Sequence, residues 1–134
     1  MDEVFSADEI ERMTGEINAQ MQELMATEPA AMRGKAGPGA QRQRAAIAQA
    51  TQQDAGTFLE RFRAAARQDL CEQGGILYAQ WKKYKDLASK DMLKTFGGIL
   101  VGMGLAGSTL STVAVAVSVY VLYLGVEAFC AGKD

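Results

Sequence analysis

Thr95–Val126 reads TFGGILVGMGLAGSTLSTVAVAVSVYVLYLGV, a run of 32 residues without a single charge. The hydrocarbon core of a bilayer, about 30 Å thick, is crossed by about 20 helical residues. At about 1.5 Å per residue, this run would reach about 48 Å as one helix. Helices in globular domains average about 10–14 residues, and the remaining chain is mostly polar, a thin supply for wrapping so long an apolar segment. The expectation is an all-α protein. A short cytoplasmic helical bundle or hairpin leads into a long C-terminal helix that enters the membrane over residues 95–130. One helix is the preferred form. A hairpin is the rival, turning at Gly107-Ser108-Thr109, although its first arm, Met92 to Ala106, would be only about 22 Å long. A third reading comes from Val113 to Val121, where every odd position is Val, because a period of two is a strand signature.

The flanks fit a membrane. Lys82, Lys83, Lys85, Lys90 and Lys94 precede the run and only Lys133 follows it, which by the positive-inside rule places the first 94 residues in the cytoplasm. Trp81, Lys82, Lys83, Tyr84 and Lys85 are candidates for the headgroup level on entry, with the lysines meeting anionic lipid. Tyr120 and Tyr123 are candidates on exit; Phe96 to Tyr120 would make a helix of about 36 Å, a tilted span. The start, Met1-Asp2-Glu3, lacks the basic and then apolar pattern of a signal peptide.

Within the run, Gly98, Gly102 and Ala106 recur at steps of four, and Gly104, Ser108, Thr112 and Ala116 form a second ridge. In lipid, small residues let helix backbones approach, and Ser or Thr adds interhelical hydrogen bonds. Two such ridges predict a homo-oligomer assembled through the membrane helix.

Charge is segregated upstream. Residues 1–28 carry −7, residues 29–94 carry +6, and the whole chain carries −2. Residues 1–29 form an acidic amphipathic helix. Ser6-Ala7-Asp8-Glu9 is a capping box, with Phe5 and Ile10 as its staple. Ile10, Met13, Ile17, Met21, Leu24 and Met25 make one apolar stripe that must be covered, by the chain itself or by a cytoplasmic partner docking on adaptable methionines. An acidic arm of this kind can also dock on a basic surface, its own or a neighbour's. Residues 30–40, AAMRGKAGPGA after Pro29, are a basic Gly/Pro linker.

Residues 41–94 are a basic helical region. Its stripe is Phe58, Leu59, Phe62, Ala66 and Leu70, with a weak point at Gly56 and a second capping box at Thr57-Phe58-Leu59-Glu60. Gly74-Gly75 ends it. The next helix starts near Ile76 and runs into the apolar segment, with Gly97-Gly98 as its joint.

The composition excludes several chemistries. There is no His, so neither a Ser-His nucleophile nor a His-containing zinc site can be built. Near-neutral charge and a basic linker without aromatics argue against nucleic acid. Cys71 and Cys130 belong to no CxxC motif. In the single-span topology they face opposite compartments and cannot pair. No catalytic, cofactor-binding or metal residues are assigned. The expectation is a non-enzymatic, C-terminally anchored membrane protein that self-associates, as a pore or permeabilising effector or as a structural subunit of a membrane complex. The alternative is a soluble all-α adaptor or chaperone-like protein whose apolar segment is enclosed by partner subunits.

Overall fold

Ser6 starts the first helix by satisfying two backbone donors at once. Its N–H donates to Glu9 Oε1 at 2.9 Å, and its Oγ accepts the Glu9 N–H at 3.1 Å. This reciprocal box opens α1, Ala7–Thr27. The same Ser6 N–H, seconded by its hydroxyl, holds the Glu9 carboxyl below its ordinary value. These details come from a computed structural model that describes residues 4–27, 37–75, 77–80 and 89–131.

Along α1, Ile10, Met13, Ile17 and Leu24 are buried. Their steps of three, four and seven line one face of a helix with 3.6 residues per turn. Helix α2, Pro38–Thr51, begins with Pro38 in the first turn, where a missing N–H costs nothing. It ends at Gln52, whose left-handed backbone (φ 58°) turns its N–H onto the Ala48 carbonyl. Helix α3, Ala55–Ala66, is capped by Asp54. The Asp54 carboxylate accepts the Thr57 N–H at 2.9 Å and the Thr57 hydroxyl at 3.1 Å. The expected box at Thr57 and Glu60 is therefore displaced one turn upstream, because Asp54 meets the first free N–H groups before Thr57 can. A π-helical turn, Arg67–Cys71, continues α3 and keeps Leu70 buried.

The apolar third folds as two helices, α4 over Ser89–Gly102 and α5 over Gly107–Leu124, followed by the short α6 over Val126–Cys130. This differs from the preferred single helix, and the reason is local. The Leu105 N–H donates to the Leu100 carbonyl and the Gly104 N–H to the Val101 carbonyl, with Gly104 at φ +98°. That is a Schellman termination, which favours Gly at the left-handed position and an apolar residue after it. Gly97-Gly98, the expected joint, lies within an unbroken α4.

Helix α5 is the centre of the molecule. Helices α1, α2 and α4 pack on it, and α3 packs on α2 and α4. Every residue from Val113 to Val121 is buried. A helix that is apolar all round suits surroundings that are apolar on every side, and here the bundle supplies them, so the alternating valines reflect burial on every face; no strand occurs among the described residues. Ser118, the polar member, donates its hydroxyl to the Ala114 carbonyl at 2.7 Å and so carries no unmet hydrogen bond into the core. Beyond α5, an aromatic cluster fills the space between elements. Phe62 meets Phe96 edge-on at 5.0 Å, and Phe129 lies within about 6.3 Å of both Phe62 and Tyr120.

Candidate functional site: an uncharged hairpin closed by a disulfide

Helices α4 and α5 form a hairpin whose tip carries no charge. Gly98, Val101, Gly102, Gly104, Ala106, Gly107 and Ser108 are exposed there. Val101 is 47% exposed, the most exposed large apolar side chain among those described. The start of α5 at Ala106 has no side-chain cap, so its first N–H groups are left to whatever surrounds the tip. Nearer the base, α4 carries Lys90 and Lys94, both exposed. Phe5 seals the flank of α4: it is buried, and a β-carbon placed on Gly97 would come within 2.6 Å of its ring.

Among the described residues, α5 is the one helix long and apolar enough to cross a membrane, with a mean hydropathy of 1.6. Yet 61% of that span is buried inside the bundle. The chain's own amphipathic helices cover it.

The base of the hairpin is closed covalently. Cys71, in the π-helical turn, is bonded to Cys130 at the end of α6, with Cα atoms 5.6 Å apart. This corrects the expectation that the two cysteines cannot pair. That expectation assumed a single span separating them, whereas the break at Gly104 returns α5 toward the side from which α4 departs. Arg63 reinforces the closure. Its Nε donates to the Phe129 carbonyl at 2.8 Å, and its guanidinium sits 5.0 Å from the centre of the Phe129 ring.

The two small-residue ridges fall largely at this tip. Gly98, Gly102 and Ala106 are exposed, as are Gly104 and Ser108. Thr112 is also exposed, whereas Ala116 is buried. Thr112 and Ala116 line a groove of about 450 Å³ with Ala19 and Ala46, rimmed by Gln20, Arg42 and Gln43. The Gln43 amide donates to Gln20 Oε1 at 2.8 Å across that rim. Tyr120 and Tyr123 lie in the core at 0% and 2% exposure, not at a surface; the Tyr120 hydroxyl meets Arg44 at 3.5 Å. Trp81, Lys82, Lys83, Tyr84 and Lys85 lie outside the described residues. On α1, Ile10, Met13, Ile17 and Leu24 face the protein's own core, Met21 is half-buried and Met25 is exposed. The acidic arm meets basic α2 through Glu23 and Arg42 at 3.4 Å, both well exposed, a pair of the kind that contributes at most about 1 kcal/mol.

The disulfide has a signal in the sequence, two cysteines in one chain, but nothing local shows that they meet. The Arg63 clamp on Phe129 had no signal, because it joins residues 66 positions apart. No protein-family model, curated protein or solved structure matches the chain.

Proposed function

We propose that the protein is a non-enzymatic, membrane-active effector that carries its apolar hairpin inside a jacket of amphipathic helices and presents the tip to a bilayer. One observation carries this reading: the hairpin α4–α5 has an exposed, charge-free, glycine-rich tip backed by a helix of bilayer length. In water the jacket hides α5. In lipid, the apolar faces of α1 and α2 would exchange α5 for acyl chains at little net cost, since lipid tails are as apolar as the side chains they replace. Self-association at the membrane would use the exposed ridge Gly98, Gly102 and Ala106 together with Gly104 and Ser108. The disulfide supports action outside the cytoplasm, because such bonds persist in oxidising compartments; this shifts the orientation drawn from the lysines alone.

The test is sedimentation with phosphatidylcholine–phosphatidylglycerol vesicles, coupled to release of an entrapped dye. Wild type should bind and release. Val101→Asp should keep the helical spectrum yet lose most of its binding, since a charge carried into hydrocarbon at the tip is costly. Gly102→Ile and Ser108→Ile should remove crosslinked oligomers while leaving the protein on the vesicle. Equal binding by wild type and Val101→Asp sinks the tip model. A soluble adaptor role is the second reading. It is favoured by the burial of α5 within the bundle, and wild type that ignores vesicles altogether would select it.

A further inference from the structure

We propose that the Cys71–Cys130 disulfide sets how deep the hairpin enters a membrane: with the bond intact only the tip enters one leaflet, and α5 can cross only after the bond is reduced. This rests on the membrane reading above and adds its regulation.

The argument is one of lengths and sides. Cys71 precedes the hairpin and Cys130 follows it, and the bond holds them together. The oxidised chain therefore keeps both ends of the hairpin on one face of the bilayer. A tip-first hairpin satisfies that constraint. For α5 to cross in this state, α4 must cross back, and α4 is too short to do so. From Lys94 to the end of the helix at Gly102 is about 12 Å, and the single leaflet is about 15 Å deep. Further entry would draw Lys94, Asp91 and Lys90 into hydrocarbon, where such charges are expensive. The start of α5 adds a second limit. Its first turn has no side-chain cap, and free backbone N–H groups are costly in a bilayer core. Both limits hold the oxidised tip within one leaflet.

Breaking the bond removes the constraint on sides. Helix α5, with 18 residues, is about 27 Å long, close to the full hydrocarbon thickness. It can then cross alone, carrying Glu127 and Cys130 to the far face while α4 stays behind. The reaction needs a dithiol. One thiolate of the dithiol attacks a sulfur of the Cys71–Cys130 bond and forms a mixed disulfide. Its second thiol displaces that bond, so the dithiol leaves oxidised, and Cys71 and Cys130 leave as two thiols with the two protons it gave up. Both cysteines are only half-buried, which leaves the bond open to this attack.

The experiment places an epitope after Asp134 of the full chain and binds the oxidised protein to phosphatidylcholine–phosphatidylglycerol vesicles. External protease is added before and after treatment with dithiothreitol. The epitope should be cut almost completely in the oxidised state and become mostly protected after reduction. The variant Cys71→Ser/Cys130→Ser should show protection without reductant; if that variant does not fold, wild type reduced after it has bound gives the same readout. Protection with the disulfide intact, or cleavage that reduction leaves unchanged on bound protein, overturns the proposal while leaving the membrane reading in place. Absence from the vesicle pellet in both redox states overturns both.

Discussion

Gly97 shows how one missing side chain can tie two distant segments. A β-carbon there would stand 2.6 Å from the Phe5 ring, closer than a β-carbon approaches another carbon without one of them shifting. Phe5 is buried at 3% exposure, so the N-terminal segment is pinned against α4 by a notch that only Gly leaves open. Gly97→Ala should therefore lower stability by about 1–3 kcal/mol, the usual cost of overpacking, although Ala is the better helix former by about 1 kcal/mol. Phe5→Ala should also destabilise, by up to about 3–5 kcal/mol. Together the two changes should cost clearly less than their sum, because the second removes the atom that the first strikes. Urea unfolding of the four proteins measures this, and strict additivity would mean that Phe5 is not what Gly97 accommodates. Asp54 makes a separate residue-scale case. The Thr57 N–H and hydroxyl hold its carboxyl below the ordinary 3.8. A lowered folded-state value means the charged cap stabilises α3 above 3.8 and that this contribution is lost as pH falls through the lowered value. The melting temperatures of wild type and Asp54→Ala should differ at neutral pH and converge in stronger acid; a gap that persists there would show that the carboxylate charge is not the source.

At the scale of elements, the turn at Gly104 decides whether the apolar third is one helix or two. Gly104 sits at φ +98° and closes α4 with a Schellman bond pair. A β-carbon meets no neighbour there, so Gly104→Ala isolates backbone strain from crowding. The expected cost is about 1–2 kcal/mol, read as a lower melting temperature and as faster amide exchange at Met103–Leu105. Exchange slowed across that turn would mean instead that the two helices had fused. The elements differ in how far the sequence exposes them. The Ser6 box and the α1 stripe were legible because their signals lie within one or two turns of chain. The stripe Phe58, Leu59, Phe62 and Ala66 was legible for the same reason. The medium around α5 was not legible. An all-apolar helix looks alike whether lipid or protein surrounds it, and only the packing of α1, α2 and α4 shows that this chain supplies its own cover. Met103-Gly104-Leu105 did carry a stop signal, but glycines are so frequent in the surrounding run that its role could not be singled out.

For the molecule as a whole, the disulfide joins two residues 59 positions apart and encloses the entire hairpin. A bond across so long a loop removes many conformations from the unfolded chain. The loop-entropy relation puts the stabilisation at about 4 kcal/mol. Small domains are stable by only about 5–15 kcal/mol, so the bond supplies a large share of what keeps α5 inside its jacket. The aromatic cluster of Phe62, Phe96, Tyr120 and Phe129, with Arg63 over Phe129, packs the same end of the hairpin without covalent help. Removing the bond should therefore weaken the fold without abolishing it. Cys71→Ser/Cys130→Ser should remain helical by circular dichroism and unfold at clearly lower urea, with up to about 4 kcal/mol lost. Each single serine variant should match the double variant, since either change alone removes the same cross-link. Arg63→Ala placed in the double variant should then cost more than it does in wild type, because once the sulfurs are gone the clamp on Phe129 shares the tie between α3 and α6 with the Phe62–Phe129 ring contact alone among the contacts described above. An equal cost in both backgrounds would mean that the two ties act on separate parts of the molecule, and that the base of the hairpin is not one cooperative unit.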